Sequence, residues 1–439
     1  MTKPIVAVVG RPNVGKSTMV NRIAQTNAAI VHESRGVTRD RSYHDADWSG
    51  TDFILVDTGG IESINSEDSF AMPIRDQAIA ACAEADAIIF IVDGMTGITE
   101  EDETVARILR RSGKPVFLCV NKQDEPSHGE ERVWEFFALG LGDPRPVSAL
   151  HGHGTGDLLD EIIAVLPEPS EPAHANENTL GVAIIGRPNV GKSSLINKIS
   201  GTQRSIVSEI AGTTRDSLDI VVSHEGRDYR LIDTAGMRKK SVVHENIEYY
   251  SMVRGLRAID EADVCLLVVD ASEGVTEQDQ KVAGMAIERG CAMVVLLNKW
   301  DLLTTEEARQ NVEETIVRRL PFAGWAPILR ISALTGRSLE KIYGLIDQVA
   351  HAHATKISTS RLNDVLSQIR ESGHSISDGK RRLKVHYVTQ TGTKPPEFSF
   401  FCNHPDIVDD NYQRYLENRW RESFDLAGTP IRLKFRKKD

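Results

Sequence analysis

The chain has 439 residues, 40% of them hydrophobic and 26% charged, and at about 150 residues per domain this predicts two or three domains, each able to bury a core. No apolar run approaches the ~20 residues of a membrane-spanning helix, and the opening MTKPIVAVVG enters a strand pattern without the parts of a secretory signal, so a cytoplasmic protein is expected. The net charge of −11 argues against a polyanionic partner for the whole chain, but from Lys356 onward 16 Lys and Arg stand against 11 Asp and Glu, with 36 against 52 before it. A basic tail on an acidic body fits either nucleic-acid contact or an evenly solvated surface.

In chain order, PIVAVVG reads as a buried strand, and GRPNVGKST follows it. G-x-x-x-x-G-K-[ST] between a strand and a helix is the phosphate-binding loop. Here it comprises Gly10, Arg11, Pro12, Asn13, Val14, Gly15, Lys16, Ser17 and Thr18. Gly15 lets backbone N–H groups curl toward phosphate oxygens, Lys16 is placed to reach the β- and γ-phosphates, and the Ser17 hydroxyl is offered to Mg²⁺. Thr38, in the polar loop RGVTRD, can close over Mg²⁺ and the γ-phosphate and release when that phosphate leaves. YHDADWSGTDFILVD joins two strands through a Ser-Gly turn, which predicts an antiparallel edge strand. It ends in Asp57, Thr58, Gly59, Gly60 and Ile61, where the Asp57 carboxylate can hold the metal through water and the Gly60 N–H can meet the γ-phosphate.

AIIFIVD and VFLCVNK are further buried strands, the second ending in Asn121, Lys122, Gln123 and Asp124. An aspartate there can accept from guanine N1–H and the exocyclic amine together, which adenine cannot supply. A carboxylate left unpaired discriminates by a factor on the order of 10⁴, so this element selects GTP and GDP. The stem of Lys122 would lie along the base, and in the strand-like RPVSAL the Ala149 N–H could meet guanine O6 while Ser148 shapes the turn.

The whole pattern then recurs. GRPNVGKSS, with Gly186, Arg187, Pro188, Asn189, Val190, Gly191, Lys192, Ser193 and Ser194, lies 176 positions after the first loop, and the same offset carries Thr38 onto Thr214 and Asp57 onto Asp233. Thr234, Ala235, Gly236 and Met237 follow Asp233. Asn298, Lys299, Trp300 and Asp301 repeat the base element, and Ser332 with Ala333 repeats the last turn. The metal ligands expected are thus Ser17, Thr38 and Asp57 in one copy and Ser193, Thr214 and Asp233 in the other.

A domain has been duplicated, with residues 1–166 as the first copy, a Pro-rich linker at 167–178, the second copy at 179–355 and a basic domain at 356–439. Strand runs alternating with helical periods imply α/β architecture, a mixed, mostly parallel six-stranded sheet with helices on both faces. Cys82, Cys119, Cys265, Cys291 and Cys402 are scattered without a C-x-x-C pair, so neither a zinc site nor a disulfide framework is expected.

These elements, twice and in order, resemble the translation-factor-related GTPases. With a short basic domain behind them, the chain is similar over essentially its whole length to the bacterial tandem-domain ribosome-biogenesis GTPases of the TrmE-Era-EngA-YihA-Septin-like group. That resemblance implies Mg²⁺-dependent GTP hydrolysis coupled to assembly or stability of the large (50S) ribosomal subunit, and a KH-like third domain. Ile61 and Met237 stand where Ras-type enzymes carry a water-orienting glutamine, so slow intrinsic turnover is expected. In related GTPases an asparagine at the position of Asn13 and Asn189 holds K⁺, so Asn13, Lys16 and Thr38, with Asn189, Lys192 and Thr214, form the expected catalytic sets. Each asparagine either does this or only stabilises the loop turn.

From residue 356 the reading is helix RLNDVLSQIRES, strands RLKVHYVTQ and PEFSFFCN, helix DNYQRYLENRWRESF and a strand at PIRLKFRKK, an α-β-β-α-β order like the KH fold but without its G-x-x-G loop. Lys380, Arg381, Arg382, Lys384, Arg432, Lys434, Arg436, Lys437 and Lys438 either neutralise RNA phosphates or, for Arg432 and Lys434, simply alternate outward from a core strand. Arg238, Lys239 and Lys240 follow the second γ-phosphate element, where the first copy has GGIESINSEDS. A monomer acting on ribosomal RNA and protein, with no DNA partner and no membrane span, is the first expectation. A nucleotide-gated scaffold for a protein or membrane partner, with little turnover, is the alternative.

Overall fold

The computed structural model describes residues 3–25, 43–58, 74–124, 133–167, 179–202, 219–232, 255–371, 376–378 and 381–437. They fall into two compact units, one of the described residues up to 167 and one of those from 179 onward.

In the first unit β1 (Ile5–Val9), β2 (Tyr43–Trp48), β3 (Thr51–Asp57), β4 (Ala87–Asp93), β5 (Val116–Asn121) and β6 (Arg145–Pro146) form one sheet of order β2-β3-β1-β4-β5-β6. Only β2 and β3 pair antiparallel, as the Ser-Gly turn predicts. Every residue of β1 and β4 is buried because successive side chains feed two cores. Ile5, Ala7, Val9, Ile88, Phe90 and Val92 face one, against helices α2 (Ile74–Glu84) and α3 (Glu100–Ser112). Val6, Val8, Ile89 and Ile91 face the other, against α1 (Lys16–Gln25) and the helix Thr155–Val165. RPVSAL is a strand only at Arg145–Pro146; beyond it the chain turns and Ser148 bridges His153.

The second unit repeats this sheet as β7 (Thr179–Ile185), β8 (Ile220–His224), β9 (Arg227–Ile232), β10 (Val264–Asp270), β11 (Ala292–Asn298) and β12 (Ile328–Arg330), in the order β12-β11-β10-β7-β9-β8, again with only β8 and β9 antiparallel. The stretch SALTGRSLEKIYGLIDQVAHAHA has helical apolar spacing, but its helix begins only at Lys341, because residues 332–340 form the turn that carries Ala333. Cys265 and Cys291, 26 residues apart, place their buried sulfurs 3.0 Å from each other.

The same unit contains a further α+β layer in the expected element order. The helices Thr359–Glu371 and Asp410–Ser423 cover one face of a sheet of β15 (Val385–Gly392), β16 (Glu397–Cys402) and β17 (Arg432–Lys437), and β13 (Ser377–Asp378) pairs with β14 (Arg381–Arg382) beside it. Leu362, Leu366, Phe398, Phe400, Leu416 and Trp420 form its core. This layer is fastened to the second six-stranded sheet through its own backbone. Gly428 donates its N–H to Trp325 O at 2.9 Å and accepts from Met293 N at 2.7 Å. A Cβ at Gly428 would stand 2.2 Å from Val349 Cγ2, so only glycine permits this approach. His353 Nδ1 lies 2.8 Å from Thr429 Oγ1, and the Arg421 guanidinium sits 5.2 Å over the Trp325 ring.

Candidate functional site

Both phosphate loops lie between a central strand and a helix N-terminus. Gly15 and Gly191 adopt φ of +101° and +102°, and an added Cβ would fall 2.2 Å from Asn121 Nδ2 and 2.3 Å from Asn298 Nδ2. The glycines therefore serve the curl and also admit the base-element asparagines. Asn13 and Asn189 both take φ of 64°, a left-handed conformation that asparagine tolerates better than most residues, and both are exposed. Backbone geometry thus accounts for an asparagine, while the exposed amide stays able to meet a ligand. The Lys16 ammonium is buried and donates to Gly10 O at 2.7 Å and Arg11 O at 3.0 Å. Lys192 repeats this with Gly186 O and Arg187 O, both at 2.6 Å. Burial pulls the Lys192 ammonium down to about 8.

The Ser17 hydroxyl donates to Asp57 Oδ2 at 2.7 Å, so two hard oxygens stand side by side at the loop, a donor set that fits Mg²⁺. Thr58 turns its hydroxyl inward to Val8 O and Gln77 Oε1 and is buried, so its side chain holds β3 against the core. Ser193 is exposed at the equivalent place. Thr38, Gly59, Gly60, Ile61, Thr214, Asp233, Thr234, Ala235, Gly236 and Met237 lie outside the described residues, as do Arg238, Lys239, Lys240, Lys380 and Lys438.

The base elements follow β5 and β11. Asn121 is a brace: its Nδ2 donates to Val14 O at 2.7 Å and its Oδ1 accepts from Ala149 N at 2.9 Å. Asn298 does the same with Val190 O at 2.8 Å and Ala333 N at 2.9 Å. The phosphate loop, base element and last turn are thereby tied into one rigid piece. The Ala149 and Ala333 N–H groups, expected on guanine O6, are engaged by these asparagines and reach a base only as shared donors. Ser148 donates its hydroxyl to Asp124 Oδ1 at 2.6 Å. In the second copy Asp301 Oδ1 is buried with no hydrogen-bond partner among the described residues, beside a cavity of about 170 Å³ lined by Gly191, Asn298, Lys299, Asp301, Ala333 and Leu334. A buried acceptor without a donor costs about 1–3 kcal/mol, so it favours a ligand that brings N–H groups.

Sequence reasoning missed three supporting groups. Lys122 and Lys299 take left-handed φ of 68° and 61°, with their ammonium groups held by Asp93 at 2.7 Å and Asp270 at 2.5 Å. Burial alone would raise both carboxyls, but the lysine and neighbouring hydrogen bonds prevail and hold each below the ordinary value. The signal was present, since each aspartate closes its β4-type strand in both copies. Arg11 and Arg187 turn toward buried Asp102 and Asp279, at 3.3 and 3.4 Å. Each of those aspartates closes a capping box with Thr99 or Thr276, joining the phosphate loop to the start of a helix. Trp300 is buried beneath the Arg330 guanidinium, 5.5 Å from it, and Gln123 stands in its place in the first copy.

The family described as 50S ribosome-binding GTPase matches residues 5–122 and 181–299, and the KH-domain-like C-terminal family of EngA bacterial GTPase enzymes matches 356–436. GTPase Der of Heliobacterium modesticaldum is 51% identical over 100% of this chain and 99% of its own length. GTPase Der of Listeria innocua is 47% identical over 100% of both chains. A solved Era from Aquifex aeolicus, a single-residue variant bound to GDP and AlF4⁻, is 22% identical over 60% of this chain and 93% of that one, with a TM-score of 0.31. Full-length identity near one half places the assignment beyond the fold: the chain belongs to the GTPase Der family and is a GTP-binding GTPase.

Proposed function

We propose that this Der-family GTPase holds one guanine nucleotide in each GTPase domain and uses their hydrolysis to switch its binding to the large (50S) ribosomal subunit during assembly. The reading carries the domain limits 1–166, 179–355 and 356–439, with 167–178 as linker, a cytoplasmic site of action and a monomeric chain. One observation supports it above the rest: both copies brace the same three loops with the same asparagine bonds, 177 positions apart.

In this reading the phosphates enter each loop where the lysine ammonium now rests on two carbonyls, and the lysine transfers its hydrogen bonds to phosphate oxygens. Backbone N–H groups at the helix start add to its charge. Ser17 and Asp57, with Thr38, and Ser193 with Thr214 and Asp233, would hold Mg²⁺, which neutralises phosphate charge when bound. Asp124 and Asp301 accept from guanine N1–H and the exocyclic amine. With Ile61 and Met237 unable to orient water, the exposed Asn13 and Asn189 amides are the groups that would hold a K⁺ against the phosphates. Two measurements follow. Asp124→Asn and Asp301→Asn should each shift one of two sites toward xanthine nucleotides, and unchanged GTP affinity in both variants would remove the base assignment. GTP turnover should be several-fold faster in KCl than in NaCl at equal ionic strength, and equal rates would exclude the potassium role.

The ribosomal partner rests on the matched family description and on the positive charge of the C-terminal domain. The linkage of that domain to the second GTPase sheet through Gly428, Lys394–Asp263 at 2.7 Å and the buried His353–Thr429 pair gives a short mechanical path from one nucleotide site to it.

A further inference from the structure

The C-terminal sheet has two unlike faces. Val388, Phe398, Phe400 and Trp420 fill the helix-covered side. On the other side Tyr387, Phe401 and Arg436 occupy one register row across β15, β16 and β17. The Tyr387 and Phe401 rings are stacked 4.3 Å apart at 10°, with Tyr387 39% exposed.

Tyr387 stands there because of a β-bulge. Val385 pairs with Cys402 and Tyr387 with Phe401, so two steps on β15 match one on β16 and the tyrosine changes faces. In a regular strand, Val385 and Tyr387 would share the buried face. The bulge gives up regular pairing to bring an aromatic ring to the open side, which is what bulges do when they re-aim a side chain. A cross-strand aromatic pair returns only a few tenths of a kcal/mol to about 1 kcal/mol.

Charge surrounds that row on one side of the balance. Arg436 is exposed at the end of that row, and Lys384 is exposed just before β15; neither has an ion pair with a described residue. The acidic groups nearby are already engaged: Glu397 holds Lys434 at 2.6 Å, and Asp378 and Asp406 both hold Arg381. Stacked aromatic planes beside unpaired cations, on an open sheet, match an unpaired nucleobase with its flanking phosphates.

We propose that the open face of the C-terminal sheet is a stacking site for an unpaired RNA base, with Tyr387 and Phe401 as the planes and Arg436 and Lys384 against the adjoining phosphates. This deepens the reading of the domain as an RNA contact and rests on it. It also explains how a KH-like domain without a G-x-x-G clamp holds a strand, since stacking needs no backbone clamp.

The full chain is titrated with a fluorescent single-stranded RNA oligomer and with a blunt RNA duplex across a salt series. Tyr387→Leu and Phe401→Leu should weaken single-strand binding about tenfold with the salt slope unchanged, Tyr387→Phe should retain it, and Arg436→Gln should reduce the slope by about one. Intact GTP turnover and thermal unfolding show that each variant folds. Loss of equal size for single strand and duplex, or no loss in Tyr387→Leu, overturns the stacking site while leaving RNA contact standing. If the unaltered chain binds neither RNA but still sediments with large ribosomal subunits, the face serves a protein and the proposal fails. If it binds neither RNA nor subunits, the reading beneath fails with it.

Discussion

Asn298→Ala is expected to weaken GDP at the second site by on the order of 100-fold while leaving the first site unchanged. The side chain makes two buried hydrogen bonds, donating to Val190 O and accepting from Ala333 N, and it touches no reacting atom. Truncation leaves one carbonyl and one N–H buried without partners, at about 1–3 kcal/mol each, against 1.4 kcal/mol per tenfold in affinity. It also opens the space that Gly191 keeps free for the amide. The phosphate loop and the turn around Ala333 would then move independently, so both halves of the nucleotide lose register together. Asn121→Ala is the mirror experiment at Val14 and Ala149. A two-phase titration with a fluorescent GDP, in which each variant erases one phase, assigns the phases to the domains. Asn298→Asp keeps the acceptor for Ala333 N–H but sets a buried carboxylate oxygen against Val190 O, so a loss at least as large as that of Asn298→Ala is expected. A full two-site isotherm in Asn298→Ala would show that the brace is dispensable.

That brace marks the limit of what the sequence discloses. The duplicated loops, the antiparallel edge strands and the α-β-β-α-β tail are legible because each follows from local period and punctuation. Asn121 is legible as a base-element residue too, but its partners Val14 and Ala149 lie 107 and 28 positions away, and only the sheet order brings them to one place. The same holds for Lys122 with Asp93 across neighbouring parallel strands, and for Cys265 beside Cys291. Tyr387 fails for a different reason. Counting every second residue from Val385 sends it into the core, and the bulge that reverses this carries no glycine to announce it. Arg11 and Arg187 read as loop residues, yet their guanidinium groups are committed to buried helix caps. In each case, what the residue touches is decided by tertiary packing, and residue type alone restricts only the chemistry on offer.

The second large effect concerns Lys192 and has opposite signs for folding and for binding. Without nucleotide, burial depresses its ammonium from 10.5 to about 8, because the charged form gives up water and the two carbonyls and the Asp279 charge do not offset that loss. A lysine whose folded value lies below its unfolded one costs stability while both states are protonated, below about pH 8. That cost is relieved as pH rises from about 8 toward 10.5, where the folded side chain is already neutral. The nucleotide-free second domain should therefore gain thermal stability over this interval. Phosphates demand the protonated form, so GDP affinity should fall by up to about tenfold per pH unit above about pH 8, with proton uptake on binding. Lys192→Arg keeps its charge throughout and should flatten both profiles, and since its guanine ligand titrates identically, it also removes the base's own ionisation from the comparison. Lys192→Met should abolish the pH effect on stability and lower GTP turnover at the second site by on the order of 100-fold or more, the scale of losing a donor aimed at developing phosphate charge. Calorimetry in buffers of different ionisation enthalpy reads the proton uptake directly. A wild-type affinity that stays level through this range would mean that the lysine remains charged in the free protein and does not pay for its burial.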